Sequence, residues 1–121
     1  MKTSPILALA ATSMVADIPS NGLLLHQAFI YSYYAIWTGS PVGTIKVQVS
    51  NDNVVALPGS TNPSSNVVNW LDYPSTTQTV SGAGSFVWNF SDAGYLWSRV
   101  YYTFTSGTGS LLINACVKGN I

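Results

Sequence analysis

Charged side chains are scarce in this sequence. They make up 7% of its 121 residues, against about 25% in an ordinary soluble domain. There is no glutamate, and four aspartates balance three lysines and one arginine, so the formal net charge is zero. Nucleic-acid binding by counterion release and attraction to anionic lipids both need clustered cations. Because these four cations are widely spaced, the sequence predicts neither a nucleic-acid nor a membrane partner.

Metal-ligating and redox residues are equally rare, with one cysteine and one histidine in the chain. The lone Cys116 has no internal disulfide partner, and we expect it to be a small packed residue. A dedicated zinc or iron site needs several Cys, His or carboxylate ligands. The sequence therefore predicts no metal and no cofactor.

Long apolar runs are also missing, since no stretch reaches the roughly 18 to 20 residues that cross a bilayer as a helix. The N-terminal segment MKTSPILALAATSMVAD has the lysine and the short apolar run of a signal peptide. Thr12 and Ser13 interrupt that run. We interpret the segment as a first strand.

Catalytic patterns are absent too. The only histidine, His26, has no Gly-x-Ser-x-Gly or Cys-His arrangement to accompany it, and no phosphate-binding Gly-rich loop is present. Asp52, Asp72 and Asp92 lie in turn contexts, where aspartate caps its own backbone. The oxygens of residues 50–53 (SNDN) could hold calcium, but EF-hand spacing is missing and an Asx turn explains them. We predict that the protein is not an enzyme.

What the chain does contain is typical of β-structure. Val, Ile, Thr, Tyr and Trp recur in short runs between Gly, Pro, Asn and Ser clusters, and residues 43–50 alternate with period two. The pattern predicts an all-β, jelly-roll-like β-sandwich of about eight strands with an extended N-terminal arm. We divide it into an N-terminal arm and first strand (1–28) and a β-sandwich domain (29–121). Residues 51–66 predict a long loop, and the turn at 106–109 predicts a hairpin into 110–118.

Four tryptophans and seven tyrosines have two interpretations. Large aromatic residues usually fill the core of so small a sandwich, so we expect at least three tryptophans inside it or at a subunit contact. Alternatively, an exposed aromatic face would bind sugar rings. The candidates for that face are Trp70 or Trp97 with Tyr95 or Tyr101.

Several strings resemble small structural proteins of tailed bacteriophages. They are AIWTGSPVGTIKVQVSND (35–52), NW (69–70), VSGAGSFVWNFSDAGYLWSRVYYT (80–103) and SGTGSLLINACVKG (106–119). The resemblance covers most of the chain from about Ala35 and implies a virion component with a jelly-roll-like sandwich, such as a capsid decoration or cementing protein. It carries over no catalytic residue. The sequence departs from the pattern between Val54 and Val67 and in its longer apolar N-terminus.

These observations lead to one functional hypothesis and one alternative. We expect a homo-oligomeric capsid decoration protein, made in the host cytoplasm and bound to the outer capsid surface through the major capsid protein or other virion subunits. The alternative is a carbohydrate-binding β-sandwich module of a phage tail or head appendage. Residues 1–16 should either add an edge strand or lie on a partner. The predicted partner-binding residues are Ile6, Leu7, Leu9, Met14, Val15, Val54, Val55 and Leu57.

Overall fold

The computed structural model describes residues 2–25, 28–52, 69–91 and 94–119. These residues form ten strands and no helix, which confirms the all-β prediction. In chain order the strands are β1 (Lys2–Ser13), β2 (Ile18–Pro19), β3 (Leu23–Leu24), β4 (Ala28–Gly39), β5 (Val42–Ser50), β6 (Leu71–Asp72), β7 (Gln78–Ser81), β8 (Gly84–Phe90), β9 (Trp97–Ser106) and β10 (Gly109–Gly119).

The strands form two antiparallel sheets. Sheet A has the order β1-β10-β4-β8, and sheet B has β2-β9-β5-β6, with β3 also pairing β9 and β7 also pairing β5. Counting β2 and β3 as one interrupted strand, and β6 and β7 as another, gives eight strands. The predicted count of about eight differs from ten because these two strands are broken into short pieces.

The strands pair as in one long antiparallel hairpin whose two arms are wound into a sandwich. The first strand pairs with the last, β2 and β3 pair with β9, β4 pairs with β8, and β5 pairs with β6 and β7. Successive pairs alternate between sheets A and B. This is the winding of a jelly roll, as the sequence predicts.

The core lies between the two sheets because one side of each long strand is apolar. In β5, Ile45, Val47 and Val49 are buried, while Lys46 and Gln48 between them are partly exposed. Strands β4, β9 and β10 add inward stripes with the same period of two. Trp37, Trp88 and Trp97 are buried, which confirms that at least three tryptophans lie inside the molecule.

The turn at residues 106–109 is not a hairpin, contrary to the sequence-based prediction. Strand β9 belongs to sheet B and β10 to sheet A, so the turn carries the chain across the sandwich. It packs on the crossover between β4 and β5, where the Ser40 N–H donates to the Thr108 carbonyl at 2.8 Å. Gly107 has a φ of +86°, and a Cβ there would lie 2.0 Å from the Ser40 carbonyl oxygen. Glycine is therefore required by both conformation and space.

Strand pairing along one edge of β5 is interrupted, and a side chain supplies a hydrogen bond at the gap. Strand β7 covers β5 up to Ile45 and β6 covers it from Gln48, which leaves Lys46 and Val47 between them. The Val47 N–H donates to the Thr76 hydroxyl oxygen at 3.1 Å, and the Val47 carbonyl accepts from the Tyr73 N–H at 2.8 Å. Thr76 thus bridges the break between β6 and β7.

The N-terminal segment forms an edge strand of sheet A, one of the two expected alternatives. β1 pairs with β10 from Lys2↔Gly119 to Ser13↔Ser110, with two irregularities in register. Ala8 and Met14 are fully buried in the core. The division of the chain at residue 28 stays a prediction, and most of the predicted loop at 51–66 lies outside the described residues.

Candidate interaction surfaces

The outward side of sheet A, which we call the sheet A face, carries a row of side chains across its four strands, of which three are apolar or aromatic and one, Asn114, is polar. Leu7 of β1 is opposite Asn114 of β10, Asn114 is opposite Tyr34 of β4, and Tyr34 is opposite Val87 of β8. Leu7, Tyr34 and Val87 are 54%, 42% and 49% exposed. We call Leu7, Tyr34 and Val87 the apolar row. Tyr34 and Val87 are neighbours on adjacent strands and form an exposed apolar patch, which Asn114 separates from Leu7.

A second row extends this patch. Ile36, 37% exposed, is opposite Leu112 on one side and Ser85 on the other. At the other end of the face, a cavity of about 260 Å³ opens beside Ser32 and Cys116. Cys116 is a partly buried free thiol there, so it lies on the outward side of sheet A and not in the core.

Charge is distributed unequally between the two sheets. Among the described side chains, the sheet A face has one ionisable amine or carboxylate, Lys118 near the end of β10, whereas the outward side of sheet B carries Lys46, Asp72 and Arg99. Burying an ion without a partner is costly, whereas burying apolar surface is favourable. The sheet A face can therefore be covered by a neighbouring molecule at little electrostatic cost.

The outward side of sheet B, the sheet B face, holds a chain of polar contacts. Asp72 accepts from the Lys46 ammonium at 2.9 Å and from the Gln48 amide nitrogen at 3.0 Å. The Gln48 amide oxygen accepts from Arg99 Nε at 2.8 Å. The hydrogen bonds from Gln48 and Lys46 lower the pKa of Asp72. Asp72 thereby orients Gln48, and Gln48 fixes the guanidinium of Arg99.

Two aromatic rings flank Arg99. Its Cζ lies 4.4 Å from the ring centroid of Trp70 and 5.1 Å from that of Tyr101. The Tyr101 hydroxyl donates to Asp17 at 3.3 Å, which anchors the ring. Partial burial lowers the pKa of Arg99, but an arginine remains charged at neutral pH.

The four aromatic residues proposed for sugar binding do not form one exposed platform. Trp97 has no exposed surface and packs with Leu24 in a small cluster that Trp70 and Leu96 border. Trp70 carries the guanidinium of Arg99 over its ring. Tyr95 packs against the main core. A sugar-binding face needs an uncovered ring, which Trp97 cannot offer.

The predicted partner-binding residues occupy different environments. Leu7 and Val15 are each 54% exposed, Ile6 and Leu9 are partly buried against the core, and Met14 is fully buried. Met14 therefore packs within its own chain. Val54, Val55 and Leu57 lie outside the described residues, and the partner-binding assignment stays a prediction.

Sequence reasoning missed Tyr34, Ile36 and Val87 as surface residues of this kind. A signal was present, because residues 33–37 (YYAIW) are all apolar or aromatic. A strand with only one buried side would carry polar residues at every second position.

The candidate catalytic and metal-binding groups make structural contacts where they are described. Asp52 accepts from the backbone and side-chain amides of Asn69, each at 3.0 Å, and Asn51 accepts from the Leu96 N–H at 2.9 Å. His26 and Asp92 lie outside the described residues. In the described ranges there is no group of three or more metal-ligating side chains. No helix in those ranges is long and apolar enough to cross a membrane.

Comparison with known proteins identifies a fold and no family. No family model matches the chain, and no curated protein matches it. The structure is similar to that of the SPBc2 prophage-derived protein YomS, with a TM-score of 0.56 and 10% identity over 97% of this chain and 94% of that one. A second solved structure, titled "Bacillus endospore appendages form a novel family of disulfide-linked pili", aligns with a TM-score of 0.49 and 10% identity over 98% of this chain and 88% of that one. The likeness to YomS shows a shared fold.

Proposed function

We propose that the protein is a non-enzymatic structural subunit of a bacteriophage virion, and specifically a capsid decoration protein that binds the major capsid protein and further copies of itself. The observation that carries this proposal is the exposed apolar row Leu7, Tyr34 and Val87 on the sheet A face. The sequence resemblance to phage structural proteins and the fold shared with a prophage-derived protein support it.

We assign a second copy of this chain to the sheet A face. Two such faces are compatible in charge, because the one described ionic side chain on each, Lys118, lies near the end of β10, four residues from the position of Asn114 in the apolar row. Four strands at about 4.8 Å spacing, with about eight paired residues at about 3.3 Å each, give roughly 500 Å² of projected area. Two copies would cover about 1,000 Å², near the lower limit of a specific interface. Decoration suits such a contact, since many copies on one particle add avidity.

The location on the particle is tested on purified virions. Phage particles from the source of this chain are banded by density, probed with antibody against the chain, and imaged with gold-labelled antibody. A decoration protein should band with the particles in many copies, and the gold should lie on the outside of heads. If the protein stays in the soluble fraction, the virion assignment is wrong. Gold confined to tails would contradict capsid decoration.

The face is tested by adding charge to it. Leu7→Lys with Val87→Lys places two cations in the apolar row, about three strand spacings apart. Sedimentation equilibrium should show that the unaltered protein associates and that this variant does so at least tenfold more weakly, since each buried ammonium would lack a partner.

The matched control adds the same two charges to the other sheet. Thr79→Lys with Thr105→Lys changes exposed positions of β7 and β9, and its association should equal that of the unaltered protein. Equal weakening in both variants would mean that net charge acts and not the sheet A face. A monomeric unaltered protein at millimolar concentration would contradict self-association.

The carbohydrate-binding alternative has less structural support. Trp97 is buried and the guanidinium of Arg99 covers the ring of Trp70. A glycan array separates the two functions, because a decoration protein that binds protein subunits should give no signal on it.

A further inference from the structure

The sheet B face contains a cation that no carboxylate in the described part of the chain neutralises. Among the described residues, the one ion pair within 4 Å joins Lys46 to Asp72, and Arg99 has no carboxylate partner. The chain contains a single arginine, so this is the only guanidinium in the protein. It is held in place by one hydrogen bond to Gln48 and by the rings of Trp70 and Tyr101.

The guanidinium is oriented but not saturated. Of its five N–H donors, Nε–H is used by the amide oxygen of Gln48. No other hydrogen bond from Arg99 is found within the described parts of the chain. Arg99 is also partly exposed on the sheet B face. The end of the guanidinium is therefore available for a two-point contact.

We propose that Arg99, flanked by Trp70 and Tyr101, is an anchor for an acidic side chain of a partner protein subunit, which it binds through its two terminal nitrogens. This deepens the proposed function, because it names the chemistry that a neighbouring virion subunit would present to the sheet B face. A planar carboxylate matches the two parallel N–H donors of a guanidinium. Arginine, tryptophan and tyrosine are also the residues that dominate binding energy at protein interfaces.

The surroundings favour a protein carboxylate over a sugar. Arg99 lies over the ring of Trp70 and near that of Tyr101, and a pyranose stacking on those sides would have to displace it. Asp72 accepts from Lys46 and Gln48 and makes no ion pair with Arg99 within 4 Å. The incoming carboxylate would complete a chain of contacts that runs from Lys46 through Asp72 and Gln48 to Arg99.

The single arginine makes a direct test possible. In ¹H–¹⁵N NMR spectra the protein should give one Arg Nε–H signal. The probe is a blocked peptide of glycine, aspartate and glutamate, and its control is the same peptide with asparagine and glutamine. We expect the acidic peptide to shift the Arg99 signal and the Trp70 indole signal in a saturable manner. The neutral peptide should shift neither.

Two variants show whether the guanidinium is responsible. Arg99→Lys keeps the charge but not the paired donors, and should weaken binding of the acidic peptide about tenfold. Lys118→Gln removes an exposed cation from sheet A and should leave binding unchanged. Circular dichroism and thermal unfolding of both variants confirm that they fold.

Three results would overturn the assignment. An unchanged affinity of Arg99→Lys for the acidic peptide would place the site elsewhere. Inorganic phosphate that binds as tightly as the peptide would show a general anion site, and glucuronate that binds more tightly would show an acidic-glycan site. All of these measurements use isolated protein and small probes, so they stay informative even if the chain is never found on a virion.

Discussion

The bridge that Thr76 makes across the break in sheet B gives a quantitative prediction. Replacing Thr76 by valine keeps the shape of the side chain and removes its hydroxyl. That hydroxyl accepts from the Val47 N–H at 3.1 Å and donates to the Tyr73 carbonyl at 2.8 Å. Thr76 is 4% exposed and Val47 fully buried, so water cannot replace the lost contacts. The Val47 N–H would remain buried without an acceptor.

An unpaired buried donor costs about 1 to 3 kcal/mol. The Val47 carbonyl keeps its contact with the Tyr73 N–H, so a single orphaned donor dominates the loss. We therefore expect Thr76→Val to lower the free energy of unfolding by about 2 kcal/mol. For a domain of this size, this corresponds to a fall of roughly 6 to 10 °C in Tm.

Urea unfolding followed by tryptophan fluorescence measures this free energy, and differential scanning calorimetry measures Tm. Thr76→Ser retains the hydroxyl and should recover most of the stability. Thr77→Val alters the exposed neighbouring threonine and should change stability by less than about 0.5 kcal/mol. If Thr76→Val is as stable as Thr77→Val, the hydroxyl bridge does not support sheet B and the reasoning fails.

Two further predictions concern a crossover and a surface carboxylate. Gly107 and Gly82 both have positive φ, but a Cβ at Gly107 would lie 2.0 Å from a backbone atom, whereas nothing lies within 4 Å of a Cβ at Gly82. Chemical denaturation should therefore show Gly107→Ala to be less stable than Gly82→Ala by about 1 to 3 kcal/mol. Equal stabilities would contradict the packing of the two crossovers. The lowered pKa of Asp72 stabilises the native state above the ordinary aspartate pKa, and this contribution is lost as pH falls through the lowered value. Because Asp72 is largely exposed, the contribution should stay below about 1 kcal/mol. The difference in unfolding free energy between Asp72→Asn and the unaltered protein should shrink as pH falls through the lowered pKa of Asp72; a difference that is the same at neutral and at acid pH would contradict the titration of Asp72.

The candidate surfaces were only partly predictable. Leu7 was expected to bind a partner and lies in the apolar row, but Met14, from the same apolar segment, is buried in the core. The sequence alone does not show whether an apolar residue will be buried in the core or exposed on a face, because its hydrophobicity is the same in both positions. Arg99, Gln48 and Asp72 are separated by up to 51 residues, so no local pattern could bring them together.

The sequence by itself determined the class of fold. Period-two alternation in β5, β9 and β10 and the glycine-rich turns between strands are local features, and they predict an all-β chain in which these three strands bury one side. Only the tertiary structure decided which strands pair. The turns at 38–41 and 106–109 could join two strands of one sheet or two strands of different sheets. Because the two sheets bury their apolar faces against each other, β4 and β5 lie in opposite sheets, and so do β9 and β10. That choice aligns Leu7, Tyr34 and Val87 on one face and places Arg99 on the other.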